Sequence, residues 1–358
     1  MCSEIGSEFW IDNHYTLKGS SELPCRLNNF RYVTLTTSGR GALSLLLEHV
    51  NPSVKRALLP AYICESVILP FEKAGYELIF YNVDKLLRPD DIEFIEKTNV
   101  GVFLHLGYFG FQTNAILEEI ISKLRSKTTI IIEDVTHTLF SNSDNLVVSD
   151  FIFGSIRKWF GIPSGGFMAS NIIKNLELPN DTSGFAKLRE KSLNQKFEYI
   201  NSNAISIKSR YLSGFKKAEN ILDENIKPYK IDSTSEKLIQ GLDIEKLQIF
   251  RKNNYETLID QLNSLIGVKV IFNKIHDGIT PFFLPVYIKH NRNKLIQHLI
   301  REKIYCPVHW PIPRQLKGRL NNGTKEIYDS ILSIPCDQRY QDKDMVRVAD
   351  EIRRFVKG

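Results

Sequence analysis

Lys158 follows Ser155 by three residues and precedes the turn-forming run Pro163-Ser164-Gly165-Gly166. Residues 147–153, just upstream, form a mostly apolar run of strand length. A lysine delivered by the end of a buried strand loses hydration. That lowers its pKa and leaves a free amine able to condense with a carbonyl. A lysine in an exposed loop does nothing of the kind, so this reading depends on partners elsewhere in the chain. Arg157, beside the lysine, could depress the amine further by its charge or bind an anionic substrate group, and Ser155 could bond a phosphate.

Such partners recur at the ends of apolar runs. Ser38-Gly39-Arg40-Gly41 lies between a strand pattern at 32–36 and an apolar helix pattern at 42–50. A helix start offers unpaired amides and a positive dipole end, which suits a phosphate. Ser38 adds a hydroxyl, and Gly39 and Gly41 admit close approach, although a Ser-Gly pair also serves as a plain helix cap. Asp134 follows the strand pattern at 128–132, where it could pair with a protonated pyridine nitrogen or cap the next helix. His137, three residues on, could reach a phenolic ring oxygen or lie hydrogen-bonded in the core. A nucleophilic lysine, a ring-nitrogen carboxylate and a phosphate turn are the parts of a pyridoxal phosphate site.

The elements that must position these groups alternate. Strand patterns at 56–60, 78–83, 100–105 and 128–132 are separated by helix patterns at 64–74, 89–97 and 116–124. Continuous apolar strands between helices predict an α/β fold with a mostly parallel central sheet covered by helices on both faces. In such folds a ligand sits beyond the carboxyl ends of the strands, where the Ser38 turn, His105, Asp134 and Lys158 all fall. Residues 188–229 are charged and helical in pattern, and 235–265 read as a long helical stretch broken near Gly241. Strand patterns at 269–272 and 282–288, a helix at 293–302 and a closing amphipathic helix at 342–356 predict a smaller α+β lobe. The chain thus divides into a larger unit, 1–230, carrying the N-terminal segment and the cofactor site, and a smaller one, 231–358.

Bulk composition removes other classes. Among 358 residues, 42% are hydrophobic and 25% charged, which supports a sizeable core and argues against disorder. The net charge of +6 is spread along the chain, so the basic face that nucleic-acid binding needs is not expected, while an anionic small substrate is compatible. Five cysteines, far apart and without a CxxC pair, predict neither a disulfide framework nor a metal site. No apolar run would span a bilayer and the first residues lack a signal-peptide pattern, so a cytoplasmic protein with reduced thiols is expected. Ser38 to Ser44 also lacks the third glycine of a dinucleotide-binding turn.

In order along the chain come the Ser-Gly turn, Leu59-Pro60-Ala61-Tyr62, His105-Leu106-Gly107-Tyr108-Phe109-Gly110 and Ile132-Glu133-Asp134-Val135-Thr136-His137. Ser155 to Gly166, Tyr305-Cys306-Pro307-Val308-His309-Trp310 and Leu332-Ser333-Ile334-Pro335 follow. From about Tyr32 onward this order resembles the DegT/DnrJ/EryC1/StrS-type sugar aminotransferases, pyridoxal phosphate enzymes of fold type I. The resemblance implies Lys158 as the Schiff-base lysine that also shuttles a proton, and Asp134 as the ring-nitrogen partner. It places His137 near the ring oxygen and Gly39 and Arg40 at the phosphate turn, beside the hydroxyls of Ser38 and Ser155, the latter at the spacing of aspartate aminotransferase-like enzymes rather than the family's own. The family usually has a stacking aromatic where Cys64 stands, so Tyr62 is the substitute. Substrate-side candidates are His105, Tyr108, Arg157, His309 and Trp310. The implied reaction moves an amino group from glutamate to a nucleotide-linked keto-sugar, for polysaccharide or natural-product amino sugars, in a homodimer with interfacial active sites. Other pyridoxal phosphate chemistry, such as elimination or amino-acid transamination, and a non-catalytic regulator are the alternatives. The family's dehydratases carry histidine in place of the lysine, so Lys158 counts against dehydration.

Overall fold

The computed structural model describes residues 4–11, 24–142, 148–174 and 176–357. The chain opens with β1 (Ile5–Gly6) and a short α1 (Cys25–Asn28). Strands and helices then alternate as β2 (Tyr32–Thr36), α2 (Gly39–His49), β3 (Arg56–Pro60), α3 (Glu65–Lys73), β4 (Glu77–Tyr81), α4 (Ile92–Lys97), β5 (Val102–Leu106), α5 (Glu118–Ser126) and β6 (Ile130–Asp134). Two further strands, β7 (Phe151–Ser155) and β8 (Gly166–Ser170), flank a short 3₁₀ turn over Ile156–Lys158. The strand expected at 147–153 therefore starts later, at Phe151, and Val147 lies outside the described residues.

These strands form one seven-stranded sheet in the order β2-β8-β7-β6-β5-β3-β4. Neighbours from β7 to β4 are parallel, and β8 runs antiparallel between β2 and β7. Every residue of β5, β7 and β8 is buried, which explains why they read as continuous rather than alternating apolar runs. Two antiparallel pairings make β2 run the same way as β7. The carboxyl ends of β2, β5, β6 and β7 therefore share one edge, where β8 begins.

Two long helices follow, α6 (Phe185–Ser202) and α7 (Ile205–Glu224). They pack on each other through Leu193, Tyr199, Ile207, Tyr211 and Phe215, which gives this charged stretch a buried seam of its own. Next come α8 (Ser233–Gln240) and α9 (Ile244–Leu262), separated at Gly241 and opened by Asp232 and Asp243, whose carboxylates accept the amides of Ser235 and Lys246. The last part holds β9 (Val268–Val270), β10 (Leu284–Ile288), α10 (Arg292–Arg301), β11 (Ile304–Tyr305), α11 (Asn322–Ser330), β12 (Ile331–Ile334) and α12 (Asp342–Lys357). Strands β12, β10 and β9 form an antiparallel sheet, and β1 pairs in parallel with β11, tying the N-terminal segment to this part of the chain. One buried apolar core runs continuously beneath both larger sheets.

Gly165-Gly166, expected to form a turn, instead lead into β8, a strand that the apolar pattern does not mark. Gly165 does turn, at φ +134°, but Gly166 is already in the strand. A Cβ at Gly166 would lie 2.0 Å from the Ser38 carbonyl carbon. The glycine that looked like turn chemistry is there to let β8 pass beneath the Ser38 turn.

Candidate active site

Register brings the sheet edge together. Thr36 and Ser155 both pair with Gly166, and Asp134 pairs with Leu106 on one side and Phe153 on the other. A cavity of about 300 Å³ opens there, in the size range of small-molecule sites. Ser38, Gly39, Arg40, Asp134, His137, Ser155, Arg157, Lys158, His309 and Trp310 line it, together with Cys64 and Thr136.

Lys158 ends the 3₁₀ turn and its side chain projects into the cavity. Indole Nε1 of buried Trp159 donates to the Thr136 carbonyl at 2.6 Å and anchors that turn. The side chain is exposed through the open cavity rather than buried as a strand-end lysine is expected to be. The adjacent Arg157 charge is therefore the chief cause that holds its amine below the ordinary lysine range, with desolvation by the cavity wall second, while Glu219, Glu8 and Cys64 act the other way.

Asp134 sits at the last position of β6, and Oδ1 accepts the Thr136 amide at 2.8 Å. Burial pushes its carboxyl up to about 6, against the Thr136 bonds. A carboxylate so placed has a strong demand for a cation or a protonated nitrogen beside it. Thr136 was not singled out in the sequence. It serves three neighbours at once, since its hydroxyl also accepts the Ser155 amide at 3.1 Å. The Asp-x-Thr spacing at a strand end is the signal that could have found it.

The Ser38 turn keeps both of its expected features. Ser38 caps α2 by accepting the Gly41 amide at 3.1 Å. The amides of Gly39 and Arg40 stand at the helix start, where a helix supplies no acceptor. Opposite them, Ser155 Oγ is buried with no partner, as are Nε and Nη1 of Arg40 and Nε of Arg157. A surplus of buried donors around a helix N-terminus suits an oxyanion.

His137 is buried with its ring stacked on Trp310, centroids 5.3 Å apart, and Nδ1 accepts the Phe109 amide at 3.3 Å. Burial, then His309 and Lys158, hold it well below the ordinary histidine range, so it is neutral. His309 is likewise pushed down, to about 3, by burial and Lys158, and its Nδ1 lies 2.8 Å from Ser333 Oγ. Arg157, His309 and Lys158 also face a second, adjoining cavity of about 480 Å³ that includes Glu8, Phe9, Phe283 and Arg339.

Three sequence candidates lie elsewhere. Tyr62 is fully buried behind the cavity, packed against Tyr108, Trp310 and Tyr328, and Cys64 faces the cavity in its place. Tyr108 is also buried and donates its hydroxyl to the Tyr62 carbonyl. His105 is a core histidine set between Ser149 Oγ at 2.9 Å and Asn114 Nδ2 at 2.8 Å, pushed to about 4 by burial. Alternation explains this. His105 is the penultimate residue of β5, and Leu106 is the one that reaches the cavity. Among the described residues no cluster of metal-ligating side chains occurs, and no helix is long and apolar enough to cross a membrane.

Solved structures give the architecture a family context. PseC of Helicobacter pylori, an aminotransferase involved in the biosynthesis of pseudoaminic acid, superposes with a TM-score of 0.69 at 12% identity, over 100% of this chain and 99% of that one. A putative sugar aminotransferase from Streptococcus pneumoniae, in its PLP form, gives 0.68 at 14% identity, over 99% of each chain. The DegT DnrJ EryC1 StrS aminotransferase of Brucella abortus gives 0.62 at 15% identity, over 92% of this chain and 87% of that one. This chain shares the fold of these aminotransferases, as its motif order implied. No family model and no curated protein matches the sequence.

Proposed function

We propose that this protein is a pyridoxal phosphate-dependent aminotransferase acting on a nucleotide-linked keto-sugar, with an amino acid such as glutamate as donor. One observation carries the reading. A buried carboxylate held above its ordinary range, a lysine amine held below its own, and a helix start facing orphaned donors converge on one cavity. The shared fold supports it.

The residues present fit the cofactor. Ser155 Oγ, the α2 amides at Gly39 and Arg40, and the Arg40 side chain would hold its phosphate. Asp134 would hold the proton on its ring nitrogen. When bound, the cofactor supplies an electron sink for the substrate's Cα–H bond. Lys158 would be the residue that holds the cofactor, its free amine condensing with the aldehyde carbon as water leaves. In its free form it is the group placed to take and return a proton at the substrate carbon. Neutral His137, held by the Phe109 amide and by Trp310 and Phe282 on its faces, would be left with its other ring nitrogen to reach the cofactor's ring oxygen. His309 and Trp310 are the substrate-side groups, whereas Arg157, expected among them, lines the cavity with its fork held by Glu219. Tyr62, Tyr108 and His105 support the wall from behind, and Cys64 takes the cavity position considered for Tyr62. The mild positive charge suits the substrate's paired phosphates. We further propose a cytoplasmic homodimer, with sites completed at the subunit interface.

A spectral titration tests the reading. Purified protein with added pyridoxal phosphate should develop a visible band that glutamate converts to that of the aminated cofactor. Nucleotide keto-sugars should then restore it. Protein that stays colourless with saturating cofactor refutes the assignment. A band that no amino acid changes favours another reaction on the same scaffold.

A further inference from the structure

We infer that Glu219 is the resident counter-anion of an arginine cluster beside Lys158, a positioning residue that fixes the net charge facing the amine. The inference rests on the reading of Lys158 as the cofactor lysine.

Glu219 comes from α7, far in sequence from the sheet edge, yet it meets the turn that carries Lys158. Its two carboxylate oxygens accept from Arg157 as a fork, at 2.8 and 3.3 Å. Arg189 Nη1, from α6, lies 3.5 Å from Oε1, and Arg40 Nη2, from α2, lies 3.7 Å from Oε2. Arg157 and Arg189 are 7% and 1% exposed. Among the described residues Glu219 is the only carboxylate in ion-pair range of all three arginines. Removing it would leave buried guanidiniums from three elements facing one another, a costly arrangement.

The cluster is built for more anion than it holds. Arg40 Nε and Nη1, Arg157 Nε and Arg189 Nη1 are buried without hydrogen-bond partners. Arg157 adjoins Lys158 and its fork is spent on Glu219, so its charge cannot swing away. The charged and titratable groups acting on the amine are Arg157 itself, Glu219, Glu8 from the N-terminal segment and Cys64 at the start of α3. His137 and His309 also face it but are held neutral. The groups acting on Glu219 are Arg157, Lys158, Arg189 and Arg40, which outweigh burial and keep it ionised well below the usual carboxylate range. Asp223, one turn along α7, shares Arg40 at 3.1 Å but is largely exposed.

The test is the pH at which the visible cofactor band of the holoprotein changes, which reports protonation of the Lys158 nitrogen. Glu219→Gln keeps shape and removes the charge, so the midpoint should fall by on the order of one pH unit. Glu219→Asp should restore most of it. Arg157→Gln, measured at saturating cofactor, should move it upward, because Arg157 is the largest positive influence on the amine. Asp223→Asn should leave it near wild type, because exposed charges are screened. A midpoint unmoved or raised in Glu219→Gln overturns the inference. If that variant does not fold, an unmoved or lowered midpoint in Arg157→Gln overturns it instead. Absence of any visible band in wild type overturns the cofactor reading together with this one, whereas a band with an unmoved midpoint overturns this one alone.

Discussion

Asp134→Asn should make the cofactor-free protein more stable at neutral pH while weakening cofactor binding. Asp134 is 7% exposed, and burial lifts its carboxyl from the ordinary 3.8 to about 6. A folded-state pKa above the unfolded value means that the proton stabilises the fold. The contribution is fully present below about pH 4 and is lost as pH rises through about 6. At about 1.4 kcal/mol per pH unit, the ionised carboxylate costs the cofactor-free fold about 3 kcal/mol at neutral pH. Asparagine keeps an oxygen able to accept the Thr136 amide and carries no charge, so most of that cost should vanish. The assay is urea unfolding of cofactor-free wild type and Asp134→Asn from pH 4 to 8. Wild type should lose stability across that window, and the variant should lose about 3 kcal/mol less. Cofactor affinity, followed by absorbance, should fall in the variant, because a neutral amide does not favour a protonated ring nitrogen. The reasoning is refuted if the two proteins show parallel pH profiles, or if the variant is less stable at every pH.

Lys158→Ala should abolish the covalent link, so that borohydride no longer fixes cofactor to the chain by mass spectrometry. Ser155→Ala removes a hydroxyl with no partner in the fold. It should change cofactor-free stability by less than about 1 kcal/mol yet raise the cofactor Kd, and equal affinity would show that the hydroxyl does not bind phosphate. Gly166→Ala places a methyl within 2.0 Å of the Ser38 carbonyl carbon. It should destabilise by several kcal/mol, of the order found for overpacked cores, and impair phosphate binding, read by thermal shift with inorganic phosphate. His105→Gln should destabilise by about 1–3 kcal/mol through disturbed bonds to Ser149 and Asn114 without altering the substrate KM, which separates a core role from a substrate one.

Much of the architecture follows from local pattern. Buried parallel strands are apolar throughout, and the helices between them are amphipathic, two of them, α2 and α4, opened by the caps Ser38 and Asp91, so both signals survive in a single sequence. That is why β2, β3 and α2 fall where the periodicity puts them, and why Lys158, Asp134 and the Ser38 turn could be named together as strand-end chemistry. Strand β8 escaped because its opening glycine serves a backbone approach from Ser38, a contact between segments more than a hundred residues apart. His105 and Tyr62 were misplaced for a related reason. A strand end tells which residues are near the edge, while the pleat and the packing of neighbouring aromatics decide which side chain reaches the cavity. Cys64 and Thr136 gained their positions that way.

Sequence by itself determined the chemistry available here: an amine, a carboxylate and a helix-start turn, each carried by its own strand end. Only the tertiary structure decided their electrostatics. Ion pairing acts over a few ångströms regardless of chain separation, and nothing in residues 188–229 announces that one glutamate of a charged helix will reach Arg157. The fold brings Glu219 there, so the balance of charge around Lys158 is set by packing between α7 and the sheet edge, not by the run from Ser155 to Gly166.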